Sequence, residues 1–196
     1  MAIYYHGSHT SGIRELEARS LLHNTDEKIV YLTDNIPYAL LYVWDADHNK
    51  CIAKHVTGWT KNDIAYYEEQ FPNQLRILYQ GVSGYLYCIP ERADIKAVEN
   101  RENMYYCNNN VSVSSAIYIC DVYNELLKYE AEGKFVVARY NDQSAKRQEE
   151  LIDFTAKGIL RQNFYIENEQ KQIFMKKHFA DAWKRAVLMK QTEKEV

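Results

Sequence analysis

The hydrophobic pattern changes period near residue 121, from short β-type runs to helical spacing, which confines the chain to an α+β fold with strands first and helices last. Ahead of the change, Ala2 to Tyr5, "KIVYLT" (28–33), "CIAKHV" (51–56), "LRILYQG" (75–81) and "GYLYCI" (84–89) read as strands. "ADIKAVENRENMYYC" (93–107) and "VSVSSAIYI" (111–119) supply more. Ile13, Leu16, Leu21 and Leu22 predict a short helix and turn over 12–22, and "DIAYYEEQF" (63–71) a short helix or loop. Asp34 or Asn35 can cap a helix with Pro37 in its first turn, running through Ala39 to Trp44. Past residue 121, "DVYNELLKYEAEGK" predicts a helix ended by Gly133. Leu151, Ile152, Ile159 and Leu160, then Met175, Phe179, Trp183 and Val187, recur at helical spacing. They predict two long closing helices, the second stripe being core, with a tail "KQTEKEV" that frays. The expectation is a mainly single α+β domain: a mostly antiparallel β core over 1–120, and a helical C-terminal extension over 121–196 packed on it.

With 196 residues, 46% of them hydrophobic, the chain can bury a sizeable core. A net charge of -3 leaves no broad basic footprint, so duplex nucleic acid is not the default partner, although a local basic cleft stays open. Cys51, Cys88, Cys107 and Cys120 form no CxxC pair and no zinc-type spacing, which fits reduced thiols in a cytoplasm. The N-terminus has no signal-peptide pattern, and no apolar run reaches the roughly 18 residues that a membrane helix requires. A cytoplasmic protein without a membrane partner is expected. Seventeen tyrosines stand out, because each joins a flat apolar face to a polar tip and suits a pocket for a planar, hydrogen-bonding ligand.

Several chemistries are disfavoured by spacing. His6 and His9 sit three apart across Gly7 and Ser8 with no acidic or cysteine partner at ligand distance, so no metal site is expected. Ser8 lacks the G-x-S-x-G setting of a hydrolase nucleophile, and neither a G-x-G-x-x-G run nor a P-loop is present. Singly, His6 reads as a structural histidine, Gly7 as a turn residue, and Tyr31, Tyr38 and Tyr42 as packing.

Taken together these residues carry more. "HGS" at 6–8 is followed by "VYLTD" at 30–34 and by Tyr42, eleven residues after Tyr31. This order resembles the ADP-ribosyltransferase superfamily in its diphtheria-toxin-like, poly(ADP-ribose) polymerase-like branch, where a His-Gly-Ser strand precedes a "GIYFAD...SxxY" segment. One departure is plain: Ala39 stands where that branch has a small hydroxyl residue, three positions before its second tyrosine. The branch also has a glutamate opening a later strand, and Glu102, ahead of Met104 to Cys107, has that spacing. Glu99 is a rival, and an alignment on Asn110 would leave the glutamate missing.

The resemblance implies a split β core of the ADP-ribosyltransferase type and NAD as substrate, with no metal. It implies His6, Tyr31 and Glu102 as catalytic residues, and His6, Gly7, Ser8, Tyr31, Ala39 and Tyr42 around the dinucleotide. The implied roles are chemically coherent. Tyr31 and Tyr42 stack on nicotinamide while the Gly7 backbone bonds its amide. His6 bonds a hydroxyl of the adenosine ribose. Glu102 bonds the nicotinamide-ribose 2'-hydroxyl, opposes the positive charge that develops on that ribose, and polarises the incoming nucleophile. The expected activity is transfer of a single ADP-ribose to an unknown acceptor, a protein being favoured over nucleic acid or a small molecule. The alternatives are an NAD glycohydrolase and a non-catalytic module that binds NAD or ADP-ribose.

Overall fold

The computed structural model describes residues 2–23, 25–45, 58–166 and 168–192. In chain order its strands and helices are β1 (Ile3–Ser8), β2 (Glu15–Leu16), β3 (Ser20–Leu21), β4 (Lys28–Thr33), α1 (Ile36–Leu40), β5 (Gly58–Lys61), β6 (Ile64–Glu68), α2 (Gln74–Tyr79), β7 (Gly84–Pro90), β8 (Lys96–Ala97), β9 (Met104–Cys107), β10 (Val111–Ser112), β11 (Ser115–Ile119), α3 (Val122–Ala131), β12 (Phe135–Ala138), α4 (Ala145–Arg161), α5 (Glu169–His178) and α6 (Ala180–Thr192). The fold is mixed α and β, as the pattern predicts. Among the described residues no helix is long and apolar enough to cross a membrane.

Two compact units share the chain. Among the described residues the first holds those up to Asp45, those from Gly58 to Tyr67, and Leu78–Val137; the second holds Glu68–Ile77 and those from Ala138 on.

The first unit is organised by an antiparallel sheet of order β11-β7-β1-β4-β9-β8, with β3 also paired to β4. Strand β4 sits between β1 and β9 and is buried on both faces, which is why "KIVYLT" is almost continuously apolar rather than alternating. Val30 and Leu32 face a core with Leu16, Tyr87, Ile89, Cys107 and Val111, closed by the short β2–β10 pair. Helix α1 covers the opposite face. Asn35 caps it, its side-chain oxygen accepting from the Tyr38 N–H at 2.9 Å, and Pro37 sits in its first turn. A smaller sheet, β12-β6-β5, completes the unit.

The second unit packs α4, α5 and α6 around Ala156, Ile159, Met175, Ala182 and Ala186. Phe71 meets the rings of Phe174, His178 and Phe179. Glu69, 3% exposed, is a buried acceptor for the N–H groups of Leu75 and Tyr140, each at 3.1 Å.

Six local expectations are corrected. Residues 12–22 form β2 and β3, not a helix, because Leu16 finds a strand partner in Val111 and Leu21 is left 58% exposed. "DIAYYEEQF" begins as strand β6, with Ala65 and Tyr67 buried alternately. "LRILYQG" is helical over α2, burying Leu75, Leu78 and Tyr79 at 3,4 spacing. Helix α1 stops at Leu40, where the N–H groups of Tyr42 and Val43 turn back to the carbonyls of Ala39 and Leu40, both at 3.0 Å. The stripe from Met175 to Val187 is split by Phe179 into α5 and α6, and Val187 is 37% exposed. The region after residue 121 also contains a strand, β12. Of the cysteines, Cys88, Cys107 and Cys120 are free, while Cys51 and the strand expected at "CIAKHV" lie outside the described residues.

Candidate functional site

The strand carrying His6 and Gly7, the strand carrying Tyr31 and the strand that begins at Met104 are consecutive neighbours, β1, β4 and β9, and Glu102, expected to open the last of them, lies in the turn two residues before it. Strands β1 and β4 register at Tyr5 and Thr33. One residue further along β1, the His6 imidazole meets the Tyr31 carbonyl through Nδ1 at 3.0 Å. Side chains alternate along a strand, so this register fixes the faces. Tyr31, paired with Tyr106, shares a face with Thr33 and Met104, while His6 alternates onto the other face across from Tyr87. His6 and Tyr31 are therefore joined by ring and backbone, their side chains leaving opposite faces of the sheet.

Gly7 lies beneath α1. A Cβ there would stand 2.1 Å from the Ala39 carbonyl oxygen and 3.2 Å from Val43, so glycine is required for this helix to approach this strand. Ala39 is 1% exposed and brings only its backbone to the contact. Ser8 closes β1 with a local turn, its hydroxyl accepting from the Thr10 N–H at 3.2 Å.

Beyond α1, the Tyr42 ring meets Tyr38 edge-on at 5.4 Å, and their hydroxyls are 3.0 Å apart. Burial, followed by the influence of Tyr38, pushes the Tyr42 phenol far above its ordinary range, and Tyr31 and Arg101 lie within its electrostatic reach. Tyr42 thus stays a neutral hydroxyl. Tyr38 also directs its hydroxyl toward the Met104 sulfur at 3.6 Å. Tyr42 and Tyr38 thus form a pair that reaches the start of β9, while Tyr31, within electrostatic range of Tyr42, donates its hydroxyl to the Leu21 carbonyl at 3.2 Å.

Glu102 is held by the β5–β6 hairpin. Its carboxylate accepts from the Asn62 N–H at 2.5 Å, and its carbonyl accepts from the Thr60 hydroxyl. The turn residues Asn62 and Asp63 both have positive φ (51° and 59°), the backbone of a tight two-residue hairpin turn that Asn and Asp tolerate. A polar network fixes that turn. The Asp63 carbonyl accepts from the Asn35 amide at 2.8 Å, and the Asn103 amide bridges the carboxylates of Asp63 (2.9 Å) and Asp34 (2.8 Å). Tyr105 donates to Asp34 at 2.9 Å, and burial with that bond pushes its phenol up to about 12. The cap of α1, the hairpin tip and the turn before β9 are one hydrogen-bonded assembly.

Tyr38, Trp59, Lys61, Arg101, Glu102 and Met104 line a cavity of about 380 Å³, within the roughly 300–1,000 Å³ of small-molecule sites. Sequence reasoning treated Tyr38 as packing and did not single out Trp59, Lys61, Asn62 or Arg101. Tyr38 stands four residues before Tyr42, and Arg101 directly before Glu102, spacings that could have raised them; Trp59 reaches the cavity only through tertiary pairing. Among the described residues no group of three His, Cys, Asp or Glu side chains could hold a metal ion. Comparison with known proteins finds no matching family model, curated protein or solved structure.

Proposed function

We propose that the chain is an NAD-dependent ADP-ribosyltransferase that moves a single ADP-ribose unit. The observation that carries this reading is the side-by-side placement of the His6-Gly7 strand, the Tyr31 strand and strand β9 with Glu102 in the turn that leads into it, Tyr42 lying within electrostatic reach of Tyr31. The residues suit the ligand. Tyr31 and Tyr42 offer flat aromatic surface to a nicotinamide, and Tyr38, hydrogen-bonded to Tyr42, lines the same cavity as the Glu102 carboxylate.

NAD supplies the reactive bond between nicotinamide and ribose, and the protein's work is to orient it and balance charge. Tyr42, kept protonated by burial, and Tyr31 hold the planar ring. The Gly7 backbone offers amide hydrogen bonds, while Ala39, without a hydroxyl, adds none from its side chain. His6, its Nδ1 held by the Tyr31 carbonyl, is assigned the bond to a ribose hydroxyl. Glu102, fixed by Asn62, places a preorganised anion against the charge that develops on the ribose.

The test is nicotinamide release from NAD by the purified protein, with and without cell lysate, together with calorimetric NAD binding. Glu102→Gln should lower turnover about 10²-fold or more while NAD still binds; His6→Ala should weaken binding as well. Turnover to free ADP-ribose that lysate does not raise would mark a glycohydrolase. Binding without turnover would mark a binding module, and absence of both would sink the reading.

A further inference from the structure

The cavity beside Glu102 has a second character, unexplained by NAD cleavage. Trp59 lies on β5 directly across from Tyr66, and the two rings stack with centroids 5.5 Å apart and planes 6° from parallel. Trp59 is nevertheless 42% exposed, so a rigid aromatic plate is held open at the cavity wall. Lys61, two residues further and on the same face of β5, lines the same cavity with Arg101. Both cations are exposed, and neither enters a salt bridge among the described residues. A flat plate flanked by two uncommitted cations matches one ligand chemistry, a planar base joined to phosphate.

We infer that this cavity is the acceptor subsite and that the acceptor is an unpaired nucleotide, its base stacked on Trp59 and its phosphates near Lys61 and Arg101. The inference rests on the transferase reading of Glu102. Protein side chains fit less well. A lysine or arginine acceptor would be repelled by the two cations, and an aspartate or glutamate would satisfy them but leave the Trp59 plate unused. A duplex is excluded by the same geometry, because its bases are stacked inward and the chain as a whole carries net charge -3. In the transfer, the bond between nicotinamide and ribose C1' breaks, and nicotinamide leaves neutral with the electron pair. A base nitrogen forms the new bond to C1', and its proton passes to the Glu102 carboxylate and on to solvent. Atoms and charge balance with NAD and nucleotide alone.

The experiment has two arms. In the first, without NAD, binding of fluorescent single-stranded 12-mers of DNA and RNA is read by anisotropy, with the matching duplex and mononucleotides as competitors. Trp59→Ala should weaken single-strand binding about tenfold or more, with Trp59→Phe recovering part of it. Lys61→Ala and Arg101→Ala should each reduce the slope of log K against log salt by about 0.7. Competition by mononucleotides would place the acceptor among free nucleotides, and its absence would place it in a strand; either supports the subsite. In the second arm, labelled NAD is offered with the same oligonucleotides or with lysate protein. Label on the single strand supports the inference. Label on protein alone overturns it and leaves the transferase reading intact. A parallel loss of NAD affinity in Trp59→Ala overturns it as well, because the plate would then serve the dinucleotide. Oligonucleotide binding that the variants abolish, with NAD never cleaved, supports the nucleotide subsite and overturns the transferase.

Discussion

At the scale of single residues, Gly7 shows how one missing side chain sets the approach of a helix to a strand. Its absent side chain lets the Ala39 carbonyl of α1 press onto β1. Gly84 on β7 does similar work under the same turn, since a Cβ there would come within 2.4 Å of Val43. Gly7→Ala tests the first contact. The obstructing atom is backbone and cannot rotate away, so α1 must shift; overpacking of this kind costs about 3 kcal/mol, the upper part of its usual range. In a chain of this length that corresponds to a fall of roughly 6–12 °C in melting temperature. Thermal unfolding followed by circular dichroism checks it, and an unchanged melting temperature would mean that α1 does not pack on β1 as described. The loss should appear without NAD, which separates it from any effect on binding.

At the scale of elements, α1 is only five residues long and depends on its cap. Asn35 is 8% exposed and satisfies both the Tyr38 N–H and the Asp63 carbonyl, tying the helix to the β5–β6 hairpin. Asn35→Ala strands a donor and an acceptor and should cost about 2 kcal/mol, the larger end for a cap because the position is buried. Asn35→Ser keeps the cap acceptor and loses the amide donor, so it should recover about half. Urea unfolding of the pair measures both, and equal stability in the two variants would remove the cap from the account. The cap was legible in the sequence because Asn-x-Pro before an apolar run is a local signal. Strands β4, β7 and β11 were legible for the same reason, each being a β-branched or aromatic run of ordinary strand length. The hairpin was missed because Tyr66, Tyr67, Glu68 and Glu69 obscure the alternation; Asn62-Asp63, with positive φ at both residues, was the signal to weigh. Helix α2 was missed because Leu75, Ile77 and Tyr79 mimic a period of two, while burial follows Leu75, Leu78 and Tyr79.

At the scale of the molecule, the candidate residues His6, Gly7, Tyr31 and Tyr42 could be found by reading along the chain and Arg101 stands next to Glu102 in it, whereas Trp59 and Asn62 reach Glu102 only through pairings between distant segments. Acid should likewise act on the two units at different points. In the second unit, burial and then Lys177 hold the His178 imidazole below its usual value of 6.5, with the ring packed on Phe71 and Phe174. The unfolded chain therefore binds this proton first, and stability falls as pH drops through 6.5 until the depressed folded value is passed. In the first unit, hydrogen bonds from Asn109, Cys107 and Arg92 hold Asp94 at about 2 against an ordinary 3.8. Its contribution is complete above the ordinary value and is lost as pH falls from there through about 2. Melting temperature measured from pH 8 to pH 2 should thus decline in two separate steps. His178→Phe, which keeps an aromatic ring and removes the titration, should abolish the step near neutrality and leave the acid one. Asp94→Asn should lower stability at pH 7 and flatten the step below pH 4. A single decline near pH 4 in the unmodified protein, unchanged by His178→Phe, would show that the imidazole is not buried among the aromatic rings of the second unit.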